Sequence, residues 1–157
     1  MPKDCLFCHI PPSEYIIHNK YFYSRFDRYP SSPGHFEVIP KKHIESFLEL
    51  TDKELIAMYR LLIATLKIIE RTDLQAIYEE WQQNPLDARA AELYRLALTH
   101  SHLNKKPNGH TFGINEGEAA GRSIHHFHYH SIPRYIGDHD RPEGGIRQVL
   151  PKTANYR

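Results

Sequence analysis

Three histidines, His126, His128 and His130, recur at every second position of "HFHYH", with Phe127 and Tyr129 between them. Near neutral pH an imidazole is largely unprotonated, so it can act as nucleophile, base, acid or metal ligand. Side chains alternate across a β-strand, so residues two apart share a face. On a strand the three imidazoles would stand in one row, and His125, Phe127, Tyr129 and Ser131 would face the other way. A helix would scatter them. Flanking Ile124 and Ile132 and the interleaved aromatics favour the strand. The plainer alternative is a histidine-rich exposed strand or an incidental metal-binding tract.

The second group of reactive residues is the cysteine pair Cys5 and Cys8 in "CLFC". A reducing compartment argues against a structural disulfide. Three readings remain: a metal knuckle, a redox pair, or haem attachment, since "CLFCH" matches C-x-x-C-H. Haem attachment needs export, and "MPKDCLFCHIPPSEY" has no basic stretch followed by an apolar one. A redox pair expects a neighbouring βαβ unit, whereas "HIPPSEY" suits a loop. A metal needs two further ligands, and the chain has 12 histidines to supply them.

Elements must hold these groups in place. "KYFYSRF" alternates aromatic and polar residues and predicts a strand from about Tyr21 to Phe26. The turn-rich "DRYPSSPG" leads to a second strand, "HFEVIP", that stops at Pro40. Thr51 and Glu54 form a capping-box signature before a helix whose stripe is Leu55, Tyr59, Leu62, Leu66 and Ile69. The stripe slips phase after Ile69. Leu74, Ile77, Tyr78 and Trp81 then either continue that helix or open a new one near Thr72. A further helix is expected at "NPLDARAAELYRLAL", with Asn84 as cap and Pro85 in the first turn, ending before "NKKPNG". "HTFGIN" and "SIHHFHYHSIP" predict third and fourth strands. The tail "RPEGGIRQVLPKTANYR" reads as loop with a short strand. Strands, then helices, then strands argue for an α+β fold with an antiparallel sheet.

Composition bounds the function. At 157 residues the chain suits one domain with a real core. A net charge of +1 gives no broad attraction to nucleic acid or anionic membranes. The apolar "LIAMYRLLIATLKII" carries Arg60 and Lys67 and is too short to span a bilayer. The chain is expected to be cytoplasmic.

"HFHYHSI" fits the H-φ-H-φ-H-φ-φ pattern of the histidine triad (HIT) superfamily of nucleotide hydrolases and transferases, with polar Ser131 where an apolar residue is usual. "DRYPSSPGHFEVIPKKHIESFLEL" resembles the family's strand-turn-strand segment leading into its helix. "NEGEAAGRSIHHFHYH" resembles its asparagine–glycine loop and triad strand. "IPRYIGD" and "GGIRQVLPKTANYR" are similar to the bacterial branch described as diadenosine polyphosphate hydrolases. The resemblance covers most of the chain and implies one HIT-like domain over 1–157: about five antiparallel strands with helices on one side. Two features depart from the pattern. Residues 71–105 form a helical insertion longer than usual. Arg122 stands where many members have glutamine, which bears on phosphate contacts.

The resemblance also implies roles. His128 would be the nucleophile, attacking the α-phosphorus of a dinucleoside polyphosphate or nucleoside phosphoramidate. A nucleotidyl-histidine intermediate would form and be released by water, or by phosphate or another acceptor in a phosphorylase or transferase. His130 would act near the phosphate oxygens or leaving group, and His35 would support the triad from a neighbouring strand. Asp27 would hold the ribose hydroxyls, while Asn115, Gly117, Gly121, Arg122 and Ser123 lie on the phosphate side. On composition alone Asp27 could equally open the "DRYPSSPG" turn. Some triad proteins, and the related galactose-1-phosphate uridylyltransferases, hold zinc through ligands that match Cys5, Cys8, His43 and His126. Two thiolates and two imidazoles would make a closed, structural zinc site, and His9 is a rival ligand. Magnesium would enter with the nucleotide, and members commonly form homodimers. A purine-nucleotide-binding or zinc-dependent interaction module is the non-enzymatic alternative.

Overall fold

The computed structural model describes residues 4–140, 142–143 and 145–146. Its five strands are β1 (Ile17–His18), β2 (Phe22–Phe26), β3 (Phe36–Pro40), β4 (Gly109–Gly113) and β5 (Tyr129–Arg134). They form one antiparallel sheet in the order β1-β2-β3-β5-β4. Three helices stand between β3 and β4 in sequence: α1 (Asp52–Ile69), α2 (Leu74–Gln83) and α3 (Ala88–Leu98). The expected α+β architecture is the one observed. The mixed tail from 147 onward, including most of "GGIRQVLPKTANYR", lies outside the described residues.

Strand alternation sorts the sheet's two faces. Phe22, Phe36, Val38 and Phe127 pack with Met58, Leu61 and Leu62 of α1 and with Leu74, Tyr78, Ala90 and Tyr94 of α2 and α3. Tyr23 and Ile39 instead meet Phe7 and Ile10 of the N-terminal segment, which covers the other face with short 3-10 turns at Leu6–Cys8 and Pro12–Glu14. The helices therefore lie on one side, and the face bearing the histidines is roofed by the chain's own beginning.

Three sequence expectations need correction, and one short strand was not anticipated at its place. The two-residue β1 has no strong sequence signal, because it is shorter than one alternation cycle. The buried stripe of α1 is Glu54, Met58, Leu61, Leu62, Thr65 and Ile69, and Tyr59 is 49% exposed. The helix is rotated so that the Thr65 hydroxyl meets that of Ser24 at 2.8 Å, on the helix-covered face of β2. The cap of α3 is Asp87, whose carboxylate accepts from Ala90 N at 2.7 Å; Asn84 closes α2 instead. Finally, β5 begins at Tyr129, so His126 and His128 lie on the approach to the strand.

That last boundary has a local cause. The register pairs Val38 with Tyr129, and two residues further on it would set Pro40 against Phe127. Proline has no N–H to give, and the Pro40 carbonyl already accepts from the His126 ring at 2.9 Å. Phe127 N donates to Ile44 O instead, at 2.7 Å. The ladder ends while the side-chain alternation continues. The capping box at Thr51 is complete: Glu54 Oε2 accepts from Thr51 N at 2.9 Å and is reached by the Thr51 hydroxyl at 2.7 Å.

Candidate active site

His126 is fully buried, and its ring is oriented by two opposed contacts. Nε2 donates to the Pro40 carbonyl, which leaves Nδ1 unprotonated and 3.3 Å from Cys5 Sγ and 3.6 Å from Cys8 Sγ. His43 Nδ1 lies 3.4 Å from Cys8 Sγ. These four ligand atoms all fall within 4.8 Å of one another, and His9 is not part of the set. Around a tetrahedral zinc of ordinary bond lengths, N and S ligands sit about 3.4 to 3.8 Å apart. The donor set and its spacing fit that ion, and the Pro40 carbonyl supplies the outer hydrogen bond that orients a ligating imidazole.

His128 is 7% exposed and takes the opposite tautomer. Its Nδ1 donates to the His126 carbonyl at 2.8 Å, so Nε2 carries the free electron pair. Burial, and then the positive charge of Arg122, hold its pKa below the usual histidine value despite the bond to the carbonyl. The Phe7 ring meets it edge-on at 5.1 Å, and the His130 ring stands 4.8 Å away.

His130 completes the row and leads to a buried polar cluster. Ser31 N donates to His35 Nδ1 at 3.2 Å, so the proton of His35 is on Nε2, which reaches His130 Nδ1 at 3.1 Å. His130 must accept there and carry its own proton on Nε2. Burial first, then the neighbouring imidazoles, bring both His35 and His130 down to about 4. His130 is therefore a neutral hydrogen-bond donor in the free protein rather than an imidazolium.

Two carboxylates stand beside it: Asp27 Oδ2 and Glu37 Oε1 are each 3.9 Å from His130 Nδ1. Burial raises both acids, and for Glu37 the charge of Asp27 adds to it. Arg25, across the sheet from Glu37, opposes that rise and pairs with Glu14 at 3.2 Å. Sequence reasoning passed over Glu37 and Arg25. Their signal was available, since each is a charge at the triad-facing phase of an otherwise apolar alternation.

Asp27 opens the turn and also faces the histidine cluster. Its Oδ1 accepts from Tyr29 N at 2.7 Å, as a turn-opening aspartate does, while Oδ2 lies 3.4 Å from His35 Nδ1. Its chain neighbours Phe26 and Arg28 line a groove of about 400 Å³ with Glu14, Tyr15, Arg25 and Trp81.

The remaining candidates surround the loop before the triad. Gly117 and Gly121 have φ of +82° and +84° and bracket a 3-10 turn at Glu118–Ala120, a bend only glycine makes freely. Arg122 is held by the carbonyl and carboxylate of Glu45 at 3.0 and 3.1 Å, and its buried Nε–H has no partner. Asn115 is exposed. Ser123 is exposed too, lining a groove of about 380 Å³ with Cys5, His43 and Glu45. His125 is exposed, 3.5 Å from Glu45. No helix among the described residues is long and apolar enough to cross a membrane.

A row of imidazoles fixed in alternating tautomers, on the face of a five-stranded antiparallel sheet opposite its helices, defines a class of α+β proteins built around a histidine triad. The chain belongs to the HIT domain family, whose model matches residues 10–137. It is 32% identical over 137 residues to the protein hit of Bacillus subtilis, covering 85% of this chain and 72% of that one. The crystal structure of a member of the HIT family from the same organism superposes with a TM-score of 0.55 at 27% identity, over 85% of this chain and 74% of the other. An AP-4-A phosphorylase of Mycobacterium tuberculosis is 23% identical over 124 residues, 78% of this chain but 47% of its own length.

Proposed function

We propose that the protein cleaves nucleotides at the α-phosphorus, with dinucleoside polyphosphates or nucleoside phosphoramidates as substrates. The observation that carries this reading is the 2.8 Å bond from His128 Nδ1 to the His126 carbonyl, which leaves Nε2 as an unprotonated nucleophile. Attack by Nε2 forms the bond to phosphorus as the bond to the leaving group breaks. Water then displaces His128 from the nucleotidyl intermediate and releases the monophosphate. His130 donates a hydrogen bond from Nε2 to a phosphate oxygen, stabilising the charge that develops there while the polyphosphate departs as an anion. Asp27 holds the ribose, and the groove beside Phe26 and Arg28 receives the base. The orphaned Nε–H of Arg122 supports a phosphate contact, with Asn115, Gly121 and Ser123 completing that side.

We assign zinc to Cys5, Cys8, His43 and His126; when bound it ties the N-terminal segment to β3 and the triad. Magnesium belongs to the nucleotide substrate. A homodimer is the assembly we expect, because Ile56, Tyr59 and Ile63 of α1 expose a second apolar stripe. Static light scattering measures it directly.

Relatedness to an AP-4-A phosphorylase favours a second reading, in which inorganic phosphate replaces water. Incubation with diadenosine tetraphosphate, with and without phosphate, separates the two. AMP plus ATP, indifferent to phosphate, is the hydrolase result. Phosphate-dependent ADP plus ATP identifies the phosphorylase. No turnover of this substrate or of adenosine phosphoramidate overturns the enzymatic reading.

A further inference from the structure

The helical insertion grips one loop. Residues 27–35 connect β2 to β3 and carry Asp27 at one end and His35 at the other. At the Asp27 end, the buried Tyr94 of α3 donates its hydroxyl proton to Arg28 O at 2.9 Å and accepts from Arg28 Nε at 3.2 Å. The Arg28 guanidinium also lies 4.3 Å from the Trp81 ring centre, a cation–π contact with α2. At the His35 end, the buried Tyr78 hydroxyl of α2 accepts from Gly34 N at 2.9 Å. Gly34 has a φ of +83°, and a Cβ there would come within 3.3 Å of Leu74 and 3.4 Å of Ile69, so helix and loop are in close contact. Midway, the Tyr29 hydroxyl donates to Asp87 at 2.8 Å.

The two tyrosines are themselves fixed. Tyr78, Trp81 and Tyr94 pack ring to ring with centroids 5.3 to 6.3 Å apart. Through the loop these contacts reach the triad by Asp27 and by the His35–His130 bond, beside the core that Tyr78 and Tyr94 share with Phe127. We infer that the insertion is a positioning element for the nucleotide site: Tyr94 sets Asp27 and hence nucleoside binding, and Tyr78 sets His35 and hence the His130 proton. This rests on the proposed roles of Asp27 and His130.

The test uses the full-length, metal-replete protein and two single-atom changes, Tyr94→Phe and Tyr78→Phe. AMP binding is measured by calorimetry and by fluorescence of Trp81, the chain's one tryptophan. Turnover of diadenosine tetraphosphate gives KM and kcat, and imidazole 15N shifts give the tautomers of His35 and His130. Tyr94→Phe is expected to weaken AMP binding and raise KM about 3- to 10-fold, the worth of one hydrogen bond, with kcat within twofold. Tyr78→Phe is expected to lower kcat by roughly 10-fold, disturb the His35 and His130 signals, and leave AMP affinity within twofold. Unchanged affinity, kcat and shifts in both variants would overturn the inference. So would losses that simply track the fall in melting temperature. Should Tyr94→Phe fail to fold, Arg28→Lys removes the same Nε bond while keeping the charge, and the same KM effect is expected. If the wild type does not turn over the substrate, the proposed function fails, while AMP binding and the 15N shifts still decide the positioning roles.

Discussion

The two ends of the histidine row solve one problem by different means. Each must fix which ring nitrogen carries the proton. At the His126 end a backbone carbonyl accepts from Nε2 and turns Nδ1 toward two thiols and His43. At the His130 end the partner is another side chain, His35, oriented by Ser31 N on a loop braced from outside the sheet. The first is rigid because three distant chain segments converge on one ion-sized space. The second is rigid only as far as the loop is. Between them His128 borrows from both, its tautomer set by the backbone of His126 and its neighbour set by His35.

The sharpest way to break this comparison is to remove its centre. His128→Gly is expected to abolish turnover, by about 10⁴-fold or more, since a chain-bound nucleophile has no substitute. Its melting temperature should stay close to wild type, as measured by circular dichroism. A stable variant that keeps a tenth of the activity would show that His128 is not the nucleophile.

The next effect belongs to the cysteine end. Cys8→Ser, or a strong chelator, should release one zinc per chain by atomic absorption and lower the melting temperature by roughly 10 °C, the scale of a few kcal/mol in a chain of this length. His35→Ala should cost far less stability but reduce kcat about 10- to 100-fold by freeing the His130 ring. Equal melting-temperature losses from both changes would erase the distinction between a metal-tied end and a loop-tied end.

The remaining effect is one of pH. His35 and His130 are held down to about 4 in the fold, whereas an unfolded histidine takes its proton near 6.5. The unfolded chain thus binds more protons in that window. Their contribution to stability is full above 6.5 and is lost as pH falls toward 4. Urea unfolding at several pH values should show this slope, and His35→Ala should flatten it.

Much of this architecture was legible in the residues. The period-two histidines needed only strand alternation, and Thr51 with Glu54 announced the start of α1. The limits of reading are equally specific. The start of β5 depends on Pro40, a strand away, whose carbonyl is occupied. The true cap of α3 was hidden because Asn84 and Asp87 are both good caps and only packing chooses. Glu37 and Arg25 were visible as charges out of place in apolar strands. The hydroxyl partners of Tyr78 and Tyr94 lie 44 and 66 residues away, where no local pattern reaches.

The two ends of the α2–α3 segment also meet. Asp73, the cap of α2, accepts from the Asn104 amide at 2.8 Å, and Asn104 in turn accepts from Leu74 N at 2.7 Å, across 31 residues of chain. A detour that returns to its point of departure leaves the rest of the route unaltered. Closing a longer or shorter excursion there costs only fractions of a kcal/mol more or less, about 0.6 kcal/mol per doubling of length. The closure itself therefore adds little to the cost of the excursion, and what fixes α2 and α3 is the core they fill and the 27–35 loop they hold through Tyr78 and Tyr94.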